Sequence, residues 1–372
     1  MARRRRRDLD QLTRRVIPAE AGIPARPAGL FLAGTPAFAG VTTAAPAGKL
    51  RLVKLIATTI LAALATPAAA NDSTAEHAAG GLVLTRTADI DMVSEDLFVS
   101  ADEIRVGYVF RNRGARDIRT TVAFPMPDRD LRQEREMDVA YPSGFQTRVD
   151  RRPVAMKVER KAMLSGVDRT ALLASLGLAP ESGVEMLDRL KAADKARLVK
   201  LGLAETEEFD AGRGWQRQLV PVWTVKETWY WQQVFPAGRD LAVEHRYRPG
   251  TGGSVDASLG FPEFRASSEG RAMIREYCVD PAFLAGLDRL RRGSSATPEQ
   301  RIGYILTTGG NWRSPIGDFR LVVDKGAPSN LVSFCAQGVR KISPTRFEVR
   351  RKSWRPDRDL RILIVQAQPP GE

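Results

Sequence analysis

The sequence predicts a mainly β protein: an antiparallel β-sandwich-like framework with helical insertions, α+β overall. Short runs rich in β-branched and aromatic residues recur along the chain, and several of them alternate apolar with polar positions. Leucine- and alanine-rich stretches with helical spacing interrupt these runs. Strands and helices do not alternate regularly, which disfavours a doubly wound sheet. No repeat of about 20–50 residues is present, which disfavours solenoids and propellers.

Residues 71–155 are predicted to form an N-terminal β part. Its predicted strands are 81–85, 97–99, 104–110 and 118–124. The run 104–110 alternates most clearly, with Ile104, Val106, Tyr108 and Phe110 on one face. A polar turn follows it, and two prolines end the next strand. This pattern is typical of antiparallel strands with one buried face.

Residues 156–212 are predicted to be a helical insertion, because leucines and alanines recur there at helical spacing. Pro180 and the residues after it divide the segment into at least two helices. Residues 213–268 are predicted to be a β-hairpin region, with strands 222–235 and 241–247 joined by the turn 236–240.

Residues 269–368 are predicted to be a C-terminal α+β part. A helix is expected at 281–292, with Phe283, Leu284, Leu287 and Leu290 on one face. The strands expected after it are 319–323, 332–334, 346–351 and 360–365.

Residues 49–70 have the features of a signal peptide. Lys49, Arg51 and Lys54 precede a short uncharged, mostly apolar run, and small residues end the segment. The run is shorter than the roughly 20 residues that a membrane-spanning helix needs. We therefore expect cleavage after Ala70, a periplasmic location and no stable membrane span in the processed chain.

Residues 1–48 are expected to be a spurious or disordered extension. They contain an arginine run and two short similar segments without apolar periodicity, which resemble translated arms of an intergenic inverted repeat. Our hypothesis is that synthesis begins near Val53, from a codon that an initiator would read as Met. The arginine run would indicate a nucleic-acid arm only if the earlier start is used.

The charge of the chain does not by itself predict nucleic-acid binding. The full sequence has a net charge of +13, but residues 1–70 hold 11 basic and 3 acidic residues. The remaining 46 basic and 41 acidic residues give +5, an ordinary solvated surface. No nucleic-acid partner is expected. Two cysteines, Cys278 and Cys335, predict one disulfide in an oxidising compartment, with two buried thiols as the alternative.

Several blocks of the sequence together resemble a known family. They are NDSTAEHAAGGLVLTRTADIDMVSEDLFVS, IRVGYVFRNRGARDIRTTVAFPMPD, YWQQVFPAG, HRYRPGTGG, LTTGGNWRSPIGDFRLVVDKGAPSNLVSFC and VRKISPTRFEV. In this order they resemble a bacterial family of exported proteins, domain of unknown function 4424, over nearly all of residues 71–366. The resemblance implies export from a signal directly before the Asn-Asp-Ser start, and it supplies no catalytic residues. The first 48 residues depart from the family pattern.

Motifs for common catalytic and metal sites are missing from the sequence. There is no nucleophile elbow, no P-loop and no Cys/His cluster with zinc spacing, so no metal or cofactor is expected. His245 lies on a predicted strand, where it is a candidate general base or, more simply, a structural histidine. Six acidic residues between 89 and 103 lack the spacing of a calcium loop and are expected to be exposed.

Two other groups of residues are candidates for ligand binding. Trp229 and Trp231 share one face of a predicted strand, which is either an exposed stacking surface or part of the core. Trp312 and Arg313 lie in a long loop before a strand, a position that often carries function, although the conformational demand for its glycines is an alternative explanation of the segment. With His245, these four residues are the predicted ligand-binding candidates.

We therefore expect an exported periplasmic protein that binds an envelope ligand or protein without catalysing a reaction. The first alternative is an envelope hydrolase with dispersed carboxylates, which a pocket holding two carboxyl groups with perturbed pKa values would favour. The second is a structural subunit of an envelope assembly, which requires an exposed apolar patch and no enclosed pocket.

Overall fold

The computed structural model describes residues 72–78, 81–132, 140–210, 212 and 214–368, except for the side chains of residues 77, 78 and 81. The predicted extension 1–48, the signal peptide 49–70 and its cleavage point lie outside these residues. Strands make up 48% and helices 19% of the structure, which confirms the mainly β prediction.

The described residues form 21 strands and six α-helices. The strands are β1 (Ser73–Ala78), β2 (Gly81–Thr85), β3 (Ile90–Val99), β4 (Ile104–Asn112), β5 (Ile118–Pro125), β6 (Arg129–Asp130), β7 (Ser143–Val149), β8 (Arg152–Val154), β9 (Lys157–Leu164), β10 (Val167–Asp168), β11 (Ala204–Asp210), β12 (Trp215–Pro221), β13 (Thr224–Phe235), β14 (Asp240–Arg248), β15 (Thr251–Ser254), β16 (Glu299–Tyr304), β17 (Ile316–Asp324), β18 (Leu331–Phe334), β19 (Arg340–Lys341), β20 (Arg346–Trp354) and β21 (Leu360–Val365). The helices are α1 (Thr170–Ser175), α2 (Val184–Asp188), α3 (Ala192–Lys200), α4 (Pro262–Ala266), α5 (Ser268–Glu276) and α6 (Pro281–Arg292).

Three sheets carry the framework. Sheet A has the strand order β10-β9-β13-β5-β1-β2, with β6 also paired to β13. Sheet B has the order β19-β20-β17-β3-β4-β14-β7-β8, and sheet C the order β15-β16-β21-β18. Strands β11 and β12 form a separate two-stranded ribbon. The pairings between two named strands are antiparallel in the described residues, except for β17 on β3, which is parallel.

The main core lies where sheets A, B and C meet. Sheet A contributes Phe124, sheet B contributes Tyr108 and Phe110, and sheet C contributes Ile362 and Ile364. In β4 the even-numbered residues are buried and the odd-numbered residues are more exposed, as the alternating sequence predicts. Burying these faces removes a large apolar area from water, which is the main force that holds the sheets together.

The helices cover the outer parts of the framework. Helices α1 to α3 bury Leu173, Leu187 and Leu198 in a second cluster. Helix α6 has the predicted bounds, and Phe283 and Leu287 are buried with Leu363 of sheet C. Because β21 carries apolar residues on both faces, it packs against the main core on one side and against the helices on the other.

Two predicted features are corrected by the structure. The predicted hairpin is wrong: β13 pairs with β5, β6 and β9 in sheet A, whereas β14 pairs with β4 and β7 in sheet B. Both strands are flanked by other partners, so the turn between them carries the chain from one sheet to the other. Within the predicted helical insertion, helices occupy only Thr170–Lys200, because β9, β10 and β11 fill the rest of 156–212.

Candidate functional site

A cleft of ≈ 740 Å³ lies beside the edge of sheet B that carries β17 and β20, and sheet C forms its other wall. We call it the B–C cleft. Its floor is apolar and consists of Leu306, Phe319, Leu321, Val332, Phe334, Phe347, Val349, Trp354 and Leu360. Its rim is polar and includes Asp280, Ser333, Gln337, Arg351, Arg355, Asp357, Arg358, Asp359 and the Cys278–Cys335 disulfide.

The register of β17 against β20 builds the floor. Phe319 pairs with Arg351, and Leu321 pairs with Val349. Directly opposed residues of an antiparallel pair project from the same face, so these four side chains line the cleft together. Arg320 and Glu348, which neighbour these residues along β17 and β20, project from the other face and form an ion pair there.

Ser353 turns the end of β20 so that Trp354 reaches the floor. Its φ is +46°, a left-handed conformation that interrupts the alternation of the strand. As a result, the ring of Trp354 packs on Phe319, with 4.5 Å between ring centroids. Strict alternation would place Trp354 on the face of Lys352, away from the cleft.

The disulfide joins the wall of the cleft to the helical layer. The Cα atoms of Cys278 and Cys335 are 5.0 Å apart, and the predicted bond between their sulfurs is present. Beside it, the Ser333 hydroxyl lies within hydrogen-bonding distance of two main-chain oxygens, Tyr277 O at 2.9 Å and Cys278 O at 3.2 Å. These contacts fix the end of β18, and with it the segment 335–339 that forms one side of the cleft mouth.

Three arginines lie at the rim without a carboxylate partner among the described residues. Arg351 donates to the main-chain oxygens of Arg350 and Gln337, at 3.0 and 2.5 Å. Arg355 donates to Gly310 O at 2.7 Å. Arg358 is exposed and makes no hydrogen bond or ion pair within the described part of the chain. Each guanidinium carries five N–H donors, so most of the donors at this rim are unused.

The aspartates of the rim are engaged differently. Asp280 caps α6 by accepting from Phe283 N at 2.6 Å. Asp359 Oδ1 accepts from Leu306 N and Thr307 N, both at 3.2 Å, and from the Thr307 hydroxyl at 2.9 Å. These two carboxylates therefore hold local backbone in place.

His245 lies in the core. Its Nε2 is 3.0 Å from Asp72 Oδ1, and its Nδ1 is 2.8 Å from the Thr147 hydroxyl. The rings of Phe124 and Phe145 lie 4.8 and 5.3 Å from the imidazole. Removal from water raises the pKa of Asp72, and the nearby imidazole offsets part of this rise. His245 is fully buried and does not line the cleft, so its position agrees with the structural alternative rather than with a general base in this cleft.

The two strand tryptophans also belong to the packed framework. Trp231 is buried in the main core, and its Nε1 donates to Gln233 Oε1 at 2.9 Å. Trp229 is half-buried and stacks on Phe145 with 5.1 Å between centroids. Trp231 is therefore part of the core, Trp229 packs against that core, and neither tryptophan lines the B–C cleft.

Trp312 and Arg313 diverge from each other in the structure. Trp312 is 2% exposed and donates from Nε1 to Asp72 O at 2.7 Å, which excludes contact with a ligand at the surface. Arg313 is exposed and pairs with Asp91 at 3.1 Å. Asp91 and Glu95, expected at the surface, are buried instead. Of the site residues predicted from sequence, the cleft contains only the two cysteines.

The described residues contain no group of three or more His, Cys, Asp or Glu side chains arranged to hold a metal ion. None of the described helices has both the length and the apolar character needed to cross a membrane.

Sequence reasoning missed the cleft because its lining comes from segments spread over residues 278–360. One signal was available. Arg351, Trp354, Arg355 and Arg358 lie within eight positions at the end of a predicted strand. An aromatic residue among arginines at a strand end is a recognisable pattern for an exposed binding surface.

The fold and the cleft define a class: a three-sheet, mainly antiparallel β protein with a ligand-sized cleft at the junction of two sheets. The chain belongs to the family described as Domain of unknown function (DUF4424), whose profile matches residues 70–363. No curated protein matches the sequence.

Among solved structures, the chain is similar to a candidate nutrient-binding protein of Legionella pneumophila. The identity is 13% and the TM-score 0.40, over 80% of this chain and 70% of that one. An M1 zinc metallopeptidase of Deinococcus radiodurans gives 10% identity and a TM-score of 0.19, over 75% of this chain and 43% of that one. Likeness at these scores says nothing about ligand or activity.

Proposed function

We propose that this protein is exported to the periplasm and binds a small ligand of the cell envelope in the B–C cleft, without catalysing a reaction. The observation that carries the proposal is the cleft itself. Its volume of ≈ 740 Å³ lies within the range of about 300–1,000 Å³ that is typical of small-molecule sites. Its apolar floor and a few polar rim groups match the usual composition of such sites.

The floor provides the binding energy expected for an apolar part of a ligand. Phe319 and Leu321 are buried, whereas Phe334, Phe347 and Trp354 are only partly covered by the protein. A ligand that covers the remaining apolar area gains about 25 cal/mol per Å² removed from water. The aromatic rings add shape complementarity at little entropic cost, because they are already packed on one another.

Binding is favoured over hydrolysis by the state of the acids at the rim. Asp280 and Asp359 each use Oδ1 to hold neighbouring backbone, which leaves Asp357 as the one carboxylate of the cleft lining without a hydrogen bond in the described chain, whereas a hydrolase of the expected kind needs two working carboxylates. The other acids of interest, Asp72 and Glu95, are buried in the core and do not line the cleft. A purely structural subunit is disfavoured by the presence of a ligand-sized cleft.

Export is supported by the sequence of residues 49–70 and by the disulfide at the cleft mouth, since disulfides persist in oxidising compartments. The test is fractionation of the native organism's cells, followed by N-terminal sequencing and intact mass of the protein. A periplasmic chain that begins at Asn71 is expected. A cytoplasmic chain that retains residues 1–70 would contradict the export proposal.

The binding role is tested with a variant that fills the cleft from its mouth. Ala336 is exposed and lines the cleft, so Ala336→Trp adds bulk there without overpacking the core. Val255→Trp is the control, because Val255 is 79% exposed and lies outside the cleft. Small molecules that stabilise the wild type and the control in a thermal-shift screen, but not Ala336→Trp, are expected. Ligands that stabilise all three proteins equally would place binding elsewhere.

A further inference from the structure

We propose that the ligand of the B–C cleft is an anionic amphiphile, with an apolar body and an oxyanion head group. This inference rests on the binding role proposed above and adds the chemical class of the ligand. It comes from a comparison of the arginines around Glu348, on the outer face of sheet B, with the arginines at the rim of the cleft.

On the outer face of β20, arginines are satisfied by a carboxylate. Arg320, Arg340 and Arg350 all contact Glu348, with N···O distances of 2.9, 2.7 and 3.0 Å. Glu348 is buried beneath them, so one carboxylate serves three guanidinium groups.

The cleft rim also carries three arginines, one on β20 and two in the segment after it, but no carboxylate contacts them within the described residues. Arg351, Arg355 and Arg358 bond only to main-chain oxygens or to nothing within the described residues. A guanidinium presents paired N–H groups in a planar fork that matches carboxylate, sulfate and phosphate oxygens. An oxyanion of the ligand would take here the place that Glu348 has on the outer face.

The acids of the rim do not compensate for these donors. The oxygens of Asp280 and Asp359 that face the backbone are already hydrogen-bonded, and Asp357 is exposed and unpaired within the described chain. The formal charges of the rim balance, but the unused donors of the three guanidinium groups outnumber the unused carboxylate acceptors. A ligand with acceptor oxygens therefore fits this rim better than a cationic ligand does.

The apolar floor of the B–C cleft indicates that the ligand has an apolar body. Below the arginines the floor consists of aliphatic and aromatic side chains, including the Phe319–Trp354 pair. A small inorganic anion would leave this surface wet, whereas an amphiphile covers it while its head group stays at the exposed rim.

Calorimetric titration with three probes of equal chain length tests the inference: octanoate, octanol and octylammonium. Octanoate is expected to bind about tenfold or more tightly than octanol, because hydrogen bonds to charged groups are the stronger ones. Octylammonium is expected to bind most weakly. Ala336→Trp should abolish the binding of all probes, which assigns it to the cleft.

Arg358→Gln is the informative variant, since Arg358 is exposed and makes no hydrogen bond or ion pair within the described chain. It should weaken octanoate binding several-fold and leave octanol binding unchanged. Arg116→Gln, another exposed arginine remote from the cleft lining, is the matched control and should change neither. A circular dichroism melt verifies that both variants fold.

The outcomes separate the two proposals. Cleft binding with equal affinity for octanoate and octanol, or a preference for octylammonium, would overturn the anionic class and leave the binding role intact. An octanoate preference that survives Arg→Gln at 351, 355 and 358 would also overturn it. Failure of all three probes to bind would overturn the anionic-amphiphile class, and the binding role would still stand if the thermal-shift screen finds another molecule that stabilises the wild type and Val255→Trp but not Ala336→Trp.

Discussion

Asp72 Oδ1 and His245 Nε2 lie 3.0 Å apart, and both side chains are fully buried. This contact joins the start of the described chain to β14 of sheet B. Trp312 Nε1 strengthens the same junction by donating to Asp72 O at 2.7 Å. Two distant segments of the chain therefore hold Asp72, and β1, which begins at the next residue, starts from an anchored position.

Replacement of Asp72 by Asn should change how stability depends on pH. Burial raises the pKa of Asp72 in the folded protein above its ordinary value of 3.8. The group therefore contributes stability below its unfolded pKa, and this contribution is lost as the pH rises through the folded value. Asn cannot ionise, so the unfolding free energy of Asp72→Asn, measured relative to that of the wild type, should increase as the pH rises.

Urea denaturation of both proteins at several pH values between about 3.5 and 7 measures this difference. Asp102→Asn is the control, because the side chain of Asp102 is 87% exposed. If the unfolding free energy of the wild type instead increases relative to that of Asp72→Asn as the pH rises, the interaction of Asp72 with His245 outweighs the desolvation of Asp72.

Acid should weaken the outer face of β20. Hydrogen bonds from Arg350 and Arg320, and then from Arg340, lower the pKa of Glu348 to about 2 from its ordinary 4.5. This contribution is complete above the ordinary value and is lost as the pH falls towards 2. Glu348→Gln should therefore be less stable than the wild type at neutral pH, and the difference between their unfolding free energies should decrease in acid. The exposed Glu263→Gln serves as control. A difference in unfolding free energy that does not depend on pH would contradict the prediction.

Loss of the disulfide should cost substantial stability. The bond closes a loop with a sequence separation of 57 residues. In the chain-entropy account, a loop of this size stabilises the folded state by about 4 kcal/mol. The Cys278→Ser/Cys335→Ser double variant should lose about that amount in urea denaturation, and the reduced wild type should behave like it. A loss below about 1 kcal/mol would mean that the helical layer holds the cleft wall without the bond.

The left-handed conformation of Ser353 should make this position sensitive to β-branching. The αL region costs an L-residue roughly 1–2 kcal/mol, and a β-branched side chain suffers most there. Ser353→Gly should be neutral or stabilising, whereas Ser353→Val should lower the unfolding free energy by about 1–2 kcal/mol relative to Gly. Because the turn positions Trp354, Val should also disturb the tryptophan fluorescence. Equal stability of the two variants would mean that the strand end relaxes.

Local periodicity was enough to predict much of the fold. The alternation in 104–110 gives the buried face of β4, and Pro281 with four apolar residues at helical spacing gives α6. These elements follow from local steric and solvation preferences, which the sequence of a single segment contains.

The pairing of strands could not be predicted in the same way. The sequence around residues 236–240 is compatible with a hairpin turn and with a crossing between sheets. The choice depends on whether β5, β9, β4 and β7 already occupy the edges of β13 and β14. The same holds for the cleft: Trp312 and Trp354 both follow polar loop or strand-end residues, yet long-range packing buries the first and leaves the second partly open.

The most direct test of the account is a crystal structure of the oxidised protein with octanoate bound. We expect electron density for the alkyl chain along Phe319 and Trp354, with the carboxylate within hydrogen-bonding distance of at least one of Arg351, Arg355 and Arg358. Octanoate bound at another surface, with the B–C cleft occupied only by water at a saturating concentration, would contradict it.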